Sequence, residues 1–137
     1  MTRQEAEANK ADLRGADLRG AKNISPIVCS VLLSCPATGT FTGWKKLAGG
    51  LVARLTISGK RSSATGRKCR CDGAVVEEIF DSAGRNVETG VSMWDNSFRY
   101  AAGMVSVPSG FDGDRWNECG EGIHFFITRE EAEEFLL

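Results

Sequence analysis

The sequence predicts an α+β domain: a mainly antiparallel sheet with a short C-terminal helix packed on it. Three observations carry that expectation. Sixteen glycines in 137 residues point to many turns, which suits a sheet-rich architecture more than a helical bundle. Residues 51–57 and 74–80 read as strands, the first by alternation of Leu51, Ala53, Leu55 and Ile57 against Val52, Arg54 and Thr56. Thr128-Arg129-Glu130-Glu131 is a capping box, in which the Thr128 hydroxyl accepts from the Glu131 amide and the Glu131 carboxylate reaches back to the Thr128 amide. With 42 % hydrophobic residues the chain has material for one core, so we expect an N-terminal arm over residues 1–25 and one domain over 26–137.

The arm carries two pentapeptides, Ala11-Asp12-Leu13-Arg14-Gly15 and Ala16-Asp17-Leu18-Arg19-Gly20, before a third copy fails after Ala21. Four such units make one coil of a pentapeptide solenoid, so two cannot close one. The arm is then a remnant, a docking segment, or part of a helix with Glu5 and Ala6. Residues 25–36 are apolar and end at Pro36, and periodicity leaves helix and strand both open. Residues 38–46 read as a loop or hairpin presenting Trp44 beside Lys45 and Lys46, where the indole either stacks a base over two cations or closes the core.

After the first strand comes a basic loop, residues 59–70, with Lys60, Arg61, Arg67, Lys68 and Arg70 interleaved with Ser62, Ser63, Thr65 and Cys69. The two flanking strands are expected to pair, placing this loop at a sheet edge. Six residues separate Gly59 from Gly66 and Arg67 follows, which excludes a nucleotide-triphosphate P-loop. What remains is donors and cations suited to a phosphate, or a plain solvated loop. Turn chemistry at residues 81–86, the aromatic stretch 93–100, a strand over 103–107 and a central strand over 123–127 follow. In the final helix Ala132, Phe135 and Leu136 form one apolar stripe.

Charge is uneven along the chain. Residues 18–71 hold ten basic side chains and no acid, whereas residues 72–137 hold fourteen acids against four arginines, a net charge of −10. Either a basic face meets an anionic ligand, or the halves neutralise each other. The overall charge of −1 speaks against long nucleic acid as a partner. No apolar run reaches the roughly 20 residues needed to cross a bilayer, and the polar N-terminus is unlike a secretory signal, so a cytoplasmic protein with reduced cysteines and no membrane partner is expected. One residue between Cys69 and Cys71 is awkward for two ligands on one zinc ion with Cys119 and His124. No metal and no cofactor are implied. His124, the sole histidine, reads as a core residue or a general base.

Taken in order, Gly43-Trp44-Lys45-Lys46, Arg67-Lys68-Cys69-Arg70, Phe98-Arg99-Tyr100-Ala101-Ala102-Gly103 and residues 119–132 from Cys119-Gly120-Glu121-Gly122 onward resemble a domain of uncertain function. That domain is found in phage, giant-virus and bacterial proteins, often beside pentapeptide repeats, and the likeness spans roughly residues 36 to 137. The resemblance extends to viral sponges, which bind cyclic-nucleotide immune signals without cleaving them and so blunt host defence. It implies a small phosphorylated nucleotide ligand, held without cleavage, with a homodimer as the natural match to a two-fold ligand. The site residues rest on side-chain chemistry alone: Arg61, Arg67, Lys68 and Arg70, with Lys45, would neutralise phosphates; Ser62, Ser63 and Thr65 would donate hydrogen bonds; Trp44, Trp94 or Tyr100 would stack bases; and His124 would complete the site. A nucleotide- or NAD-acting enzyme and a protein-binding module are the alternatives.

Overall fold

The computed structural model describes residues 2–135. Three short helices come first, α1 (Arg3–Ala8), α2 (Lys10–Leu13) and α3 (Pro26–Val31). Thr2 caps α1 by accepting from the Glu5 amide at 3.1 Å, and Pro26 opens α3, where a missing amide costs nothing. The apolar run that sequence left ambiguous is thus helical in its first half. The ten strands that follow are β1 (Phe41–Lys46), β2 (Val52–Ile57), β3 (Arg61–Ser63), β4 (Cys69–Cys71), β5 (Ala74–Phe80), β6 (Asn86–Val87), β7 (Thr89–Val91), β8 (Arg99–Ala101), β9 (Val105–Ser106) and β10 (Ile123–Phe125). Helix α4 (Arg129–Glu134) ends the described chain. The α+β class with antiparallel pairing and a C-terminal helix against β1 is the one expected.

The larger sheet runs β1-β2-β5-β6, with β9 pairing the other end of β5. A smaller sheet runs β10-β4-β3, and β7 pairs β8. The strands either side of the basic loop, β2 and β5, do pair, with Ala53 opposite Ile79 and Leu55 opposite Val76. The sheets are stitched by reciprocal backbone bonds of 2.7 Å between Trp44 and Phe126. Residues 38–46, expected as a loop or hairpin, are strand from Phe41 and form the first arm of the antiparallel β1-β2 hairpin, with β1 paired on both sides at Trp44. Glycine at 43 permits the approach, because a methyl group would meet Ile57 Cδ1 and Phe125 Cδ2 at 2.6 Å.

The main core gathers Leu47, Leu55, Ile57, Val76, Ile79, Ile123 and Phe125 between the sheets. A second cluster, Leu32, Ala64 and Trp116, receives Leu13 and Leu18, the leucines of the two pentapeptides, with Ile24 and Val28. Gly15 donates to the Thr65 carbonyl at 3.1 Å, the Thr65 hydroxyl donates to the Ala16 carbonyl at 2.6 Å, and Gly20 donates to Asp114 at 3.1 Å. The repeats thus pack on the domain as one partner of its second core.

Three expected details change. The strand over 103–107 shrinks to Val105–Ser106. The Glu131 carboxylate takes its bond from the Thr128 hydroxyl at 2.8 Å, while that hydroxyl accepts from the Glu131 amide at 3.2 Å. Helix α4 stops at Glu134, because Phe135 is extended (φ −62, ψ 125) and packs tilted against Phe126 with ring centroids 5.3 Å apart. Of the helical stripe only Ala132 is in helix, and Leu136 lies outside the described residues.

Arg70, in the middle strand of the small sheet, is only 1 % exposed. It donates to the carbonyls of Asp112 and Glu121 at 2.9 and 2.8 Å and of Asp114 at 2.9 Å, and lies 5.2 Å from the Phe111 ring. An Arg70→Met variant keeps apolar bulk and leaves those carbonyls unpaired. It should lose roughly 3 kcal/mol of stability, with the Asp114 and Gly120 amides exchanging faster. Equal denaturation midpoints for variant and parent would refute this role.

Candidate functional site

The segment held by Arg70 forms one wall of the cleft that we take as the candidate site. The cleft has a volume of about 460 Å³ and is lined by Lys45, Lys68, Ser92, Trp94, Asp95, Phe98, Tyr100, Pro108, Ser109 and residues 119–124. A narrow recess of about 20 Å³ adjoins it, bounded also by Lys46, Met93, Phe126 and Phe135. Five separate stretches of sequence converge there. Strand β1 supplies Lys45, the turn before β4 supplies Lys68, the loop between β7 and β8 supplies Trp94 and Phe98, β8 supplies Tyr100, and β10 supplies His124.

Lys45 is 8 % exposed and its Nζ donates to the His124 carbonyl at 2.8 Å. Burial, with the Lys68 charge acting the same way, pushes its pKa down to about 8. Burial likewise pushes His124 down to about 4, reinforced by Lys68, Lys45 and Arg70 and opposed by its bond to the Gly120 carbonyl. A carbonyl only accepts, so Nε2 carries the proton in that 2.8 Å contact and the neutral ring leaves Nδ1 unprotonated. The Tyr100 phenol is raised by burial and stays protonated. Lys68 Nζ lies 3.5 Å from Cys119 Sγ, and Trp94 is 68 % exposed at the rim. The cleft therefore offers two amines, the Asp95 and Glu121 carboxylates, a neutral imidazole, a phenol, the exposed Trp94 indole and the half-buried Phe98 ring.

Of the residues singled out in the sequence, Lys45, Lys68, Trp94, Tyr100 and His124 meet in this cleft. The others do not. Ser62, Ser63, Thr65 and Arg70 are buried, so they do not form an open anion loop. The Ser63 hydroxyl accepts from the Ser34 amide at 3.0 Å, and Ser62 Oγ is buried with no partner among the described residues. Arg67 makes a bidentate pair with Glu131 at 2.8 and 3.0 Å. Arg61 donates to the Gly59 and Pro36 carbonyls and lies over Phe41, by a separate shallow depression. Trp44 packs near Phe80 and under Arg129.

The glycines of that loop also have another reason than turning, since neither Gly59 nor Gly66 has a positive φ. A methyl group at Gly59 would collide with the Asp72 carboxylate, and one at Gly66 with Glu118. Acidic side chains of the second half thus lie against both glycines of the basic loop, while Lys60 and Arg67 stay exposed. Sequence reasoning missed Ser92, Asp95, Phe98, Pro108 and Ser109 as lining residues. For Asp95 and Phe98 the signal was the aromatic density of residues 93–100; Ser92, Pro108 and Ser109 had none. No group of His, Cys, Asp and Glu placed to hold a metal occurs among the described residues, and none of their helices is long and apolar enough to cross a membrane.

The His124 shift fixes a pH dependence. Its pKa falls from 6.5 to about 4 on folding, so between those values the unfolded chain binds the extra proton. Stability is full above 6.5 and drops as pH falls towards about 4. Melting curves across that window should show the decline in the parent and a flatter profile in His124→Asn. Identical slopes would remove His124 as the cause.

Neither a curated protein nor a solved structure matches the chain. One family model, described as a family of unknown function, DUF5758, matches residues 31–132. That stretch contains β1 to β10, Arg70 and every residue lining the cleft. The chain belongs to the DUF5758 family.

Proposed function

We propose that the cleft binds a small phosphorylated nucleotide, of the cyclic dinucleotide class, and holds it without cleaving it. The observation that carries this reading is the placing of two amines, Lys45 and Lys68, beside the exposed Trp94 indole and the half-buried Phe98 ring in one cleft of about 460 Å³. That volume is in the range of small-molecule sites, about 300–1,000 Å³. Phosphate oxygens take the amines and a base takes an aromatic face, a contact worth about 1–3 kcal/mol. His124, neutral with a pKa of about 4, is a weak base at neutral pH, which favours retention over hydrolysis.

The ligand class and its biological consequence follow the resemblance to phage proteins that sequester immune nucleotides. In that setting the protein acts in the host cytoplasm against anti-phage defence. The exposed Trp94 at the rim suits a second copy closing over a two-fold ligand.

Calorimetry with a panel of cyclic di- and trinucleotides should find at least one that binds and is recovered intact by mass spectrometry. Lys68→Ala and Trp94→Ala should each weaken it about tenfold, and Arg61→Ala should not. Because a bound phosphate favours the charged amine, affinity should also fall as pH rises past about 8. A panel with no binder would end the proposal, and conversion of the ligand would assign an enzyme instead.

A further inference from the structure

Lys45 occupies a place where a strand normally carries an apolar side chain. It lies in the buried register of β1 between Gly43 and Leu47, opposite Ala53 of β2, and all three neighbours are buried. Its Nζ makes one hydrogen bond, to the His124 carbonyl at 2.8 Å, and no carboxylate among the described residues forms an ion pair with it. The groups that face it are Cys71 on β4, Tyr100 on β8, His124 on β10 and Lys68. Burial pushes the Cys71 thiol up to about 12 and raises the Tyr100 phenol, so both are uncharged at neutral pH. The Lys68 cation disfavours an ammonium there, and the Asp95 and Glu121 carboxylates, which line the same cleft, make no ion pair with the amine. Placed on the wall of the cleft, such an amine has a lone pair available near neutral pH and space in front of it.

We propose that Lys45 captures a small planar aldehyde in the cleft as an imine. The Nζ lone pair forms the new bond to the carbonyl carbon while the C=O π electrons move to oxygen. The resulting carbinolamine loses its hydroxyl and a nitrogen proton as water, leaving a C=N bond. No oxidant or reductant is needed. The covalent step stands independently of nucleotide binding, whereas preference for a phosphorylated aldehyde rests on that reading of the cleft.

The test uses the full chain with two probes, uncharged benzaldehyde and the phosphorylated aromatic aldehyde pyridoxal 5′-phosphate, each followed by borohydride reduction and peptide mass mapping. Lys45 should be labelled at least tenfold faster than Lys10, Lys22, Lys46, Lys60 or Lys68. Its labelling rate should rise with a midpoint near pH 8, and the preference should vanish when the chain is unfolded in urea. Lys45→Arg, which keeps a cation, should lose the adduct. The pH midpoint in the parent carries the test if that variant does not fold. Labelling spread evenly over exposed lysines, or an unmodified Lys45, would overturn the proposal. Fast benzaldehyde labelling without any gain from the phosphate would keep the reactive amine and count against the nucleotide reading. Nucleotide binding without Lys45 labelling would do the reverse.

Discussion

A guanidinium taken out of water is expensive unless it is hydrogen-bonded, and Arg70 donates from both terminal nitrogens to main-chain carbonyls of one distant loop. Desolvation lowers its pKa, an effect opposed by the Asp112 and Asp114 charges. Its three carbonyl partners are 42, 44 and 51 residues further along the chain. Through them a segment with little secondary structure of its own acquires a fixed shape. Asp112 then ties the same segment to itself by accepting from the Asp114 amide and the Asn117 side chain at 2.8 and 2.7 Å. Asp114 carries the order outward, accepting from the Trp116 amide and from Gly20 of the N-terminal arm, both at 3.1 Å. The second core, the arm and the wall of the cleft therefore all depend on one buried cation.

The uneven charge of the sequence is resolved in the same manner. The acid-free half does not present one basic face. Arg67 is taken by Glu131, Arg54 pairs with Glu78 at 2.6 Å, and Asp72 and Glu118 lie against the glycines of the basic loop. Lys22, Lys46, Lys60, Arg61 and Arg70 also have no carboxylate ion pair among the described residues, and of the unpaired basic side chains Lys45 and Lys68 are the two that line the cleft at the seam between the sheets. The seam exists because Trp44 and Phe126 bond reciprocally, and that pairing brings Lys45 to the backbone of His124. The cleft is thus a by-product of how the sheets join.

Much of this was legible in local sequence. The alternation in residues 51–57 and the Thr128 cap name a strand and a helix start because each depends on neighbours within a few residues. The site was less legible. Ser62, Ser63 and Thr65 look like phosphate donors in a polar, basic stretch, yet they are buried, and the partners of Ser63 and Thr65, Ser34 and Ala16, are 29 and 49 residues away. Lys45 was visible only as a companion of Trp44, although the two point to opposite faces of β1, and only a folded partner strand shows which face is the cleft. Trp94, Tyr100 and His124 were named for their chemistry, and tertiary packing supplied the reason they belong together.

Amide chemical-shift mapping during titration with a cyclic dinucleotide tests most directly whether the seam, and not the basic loop, is the working surface. The account predicts shifts over residues 92–98 and 119–124, with residues 60–65 unmoved. Shifts centred on residues 60–65 that leave the cleft residues unchanged would contradict it.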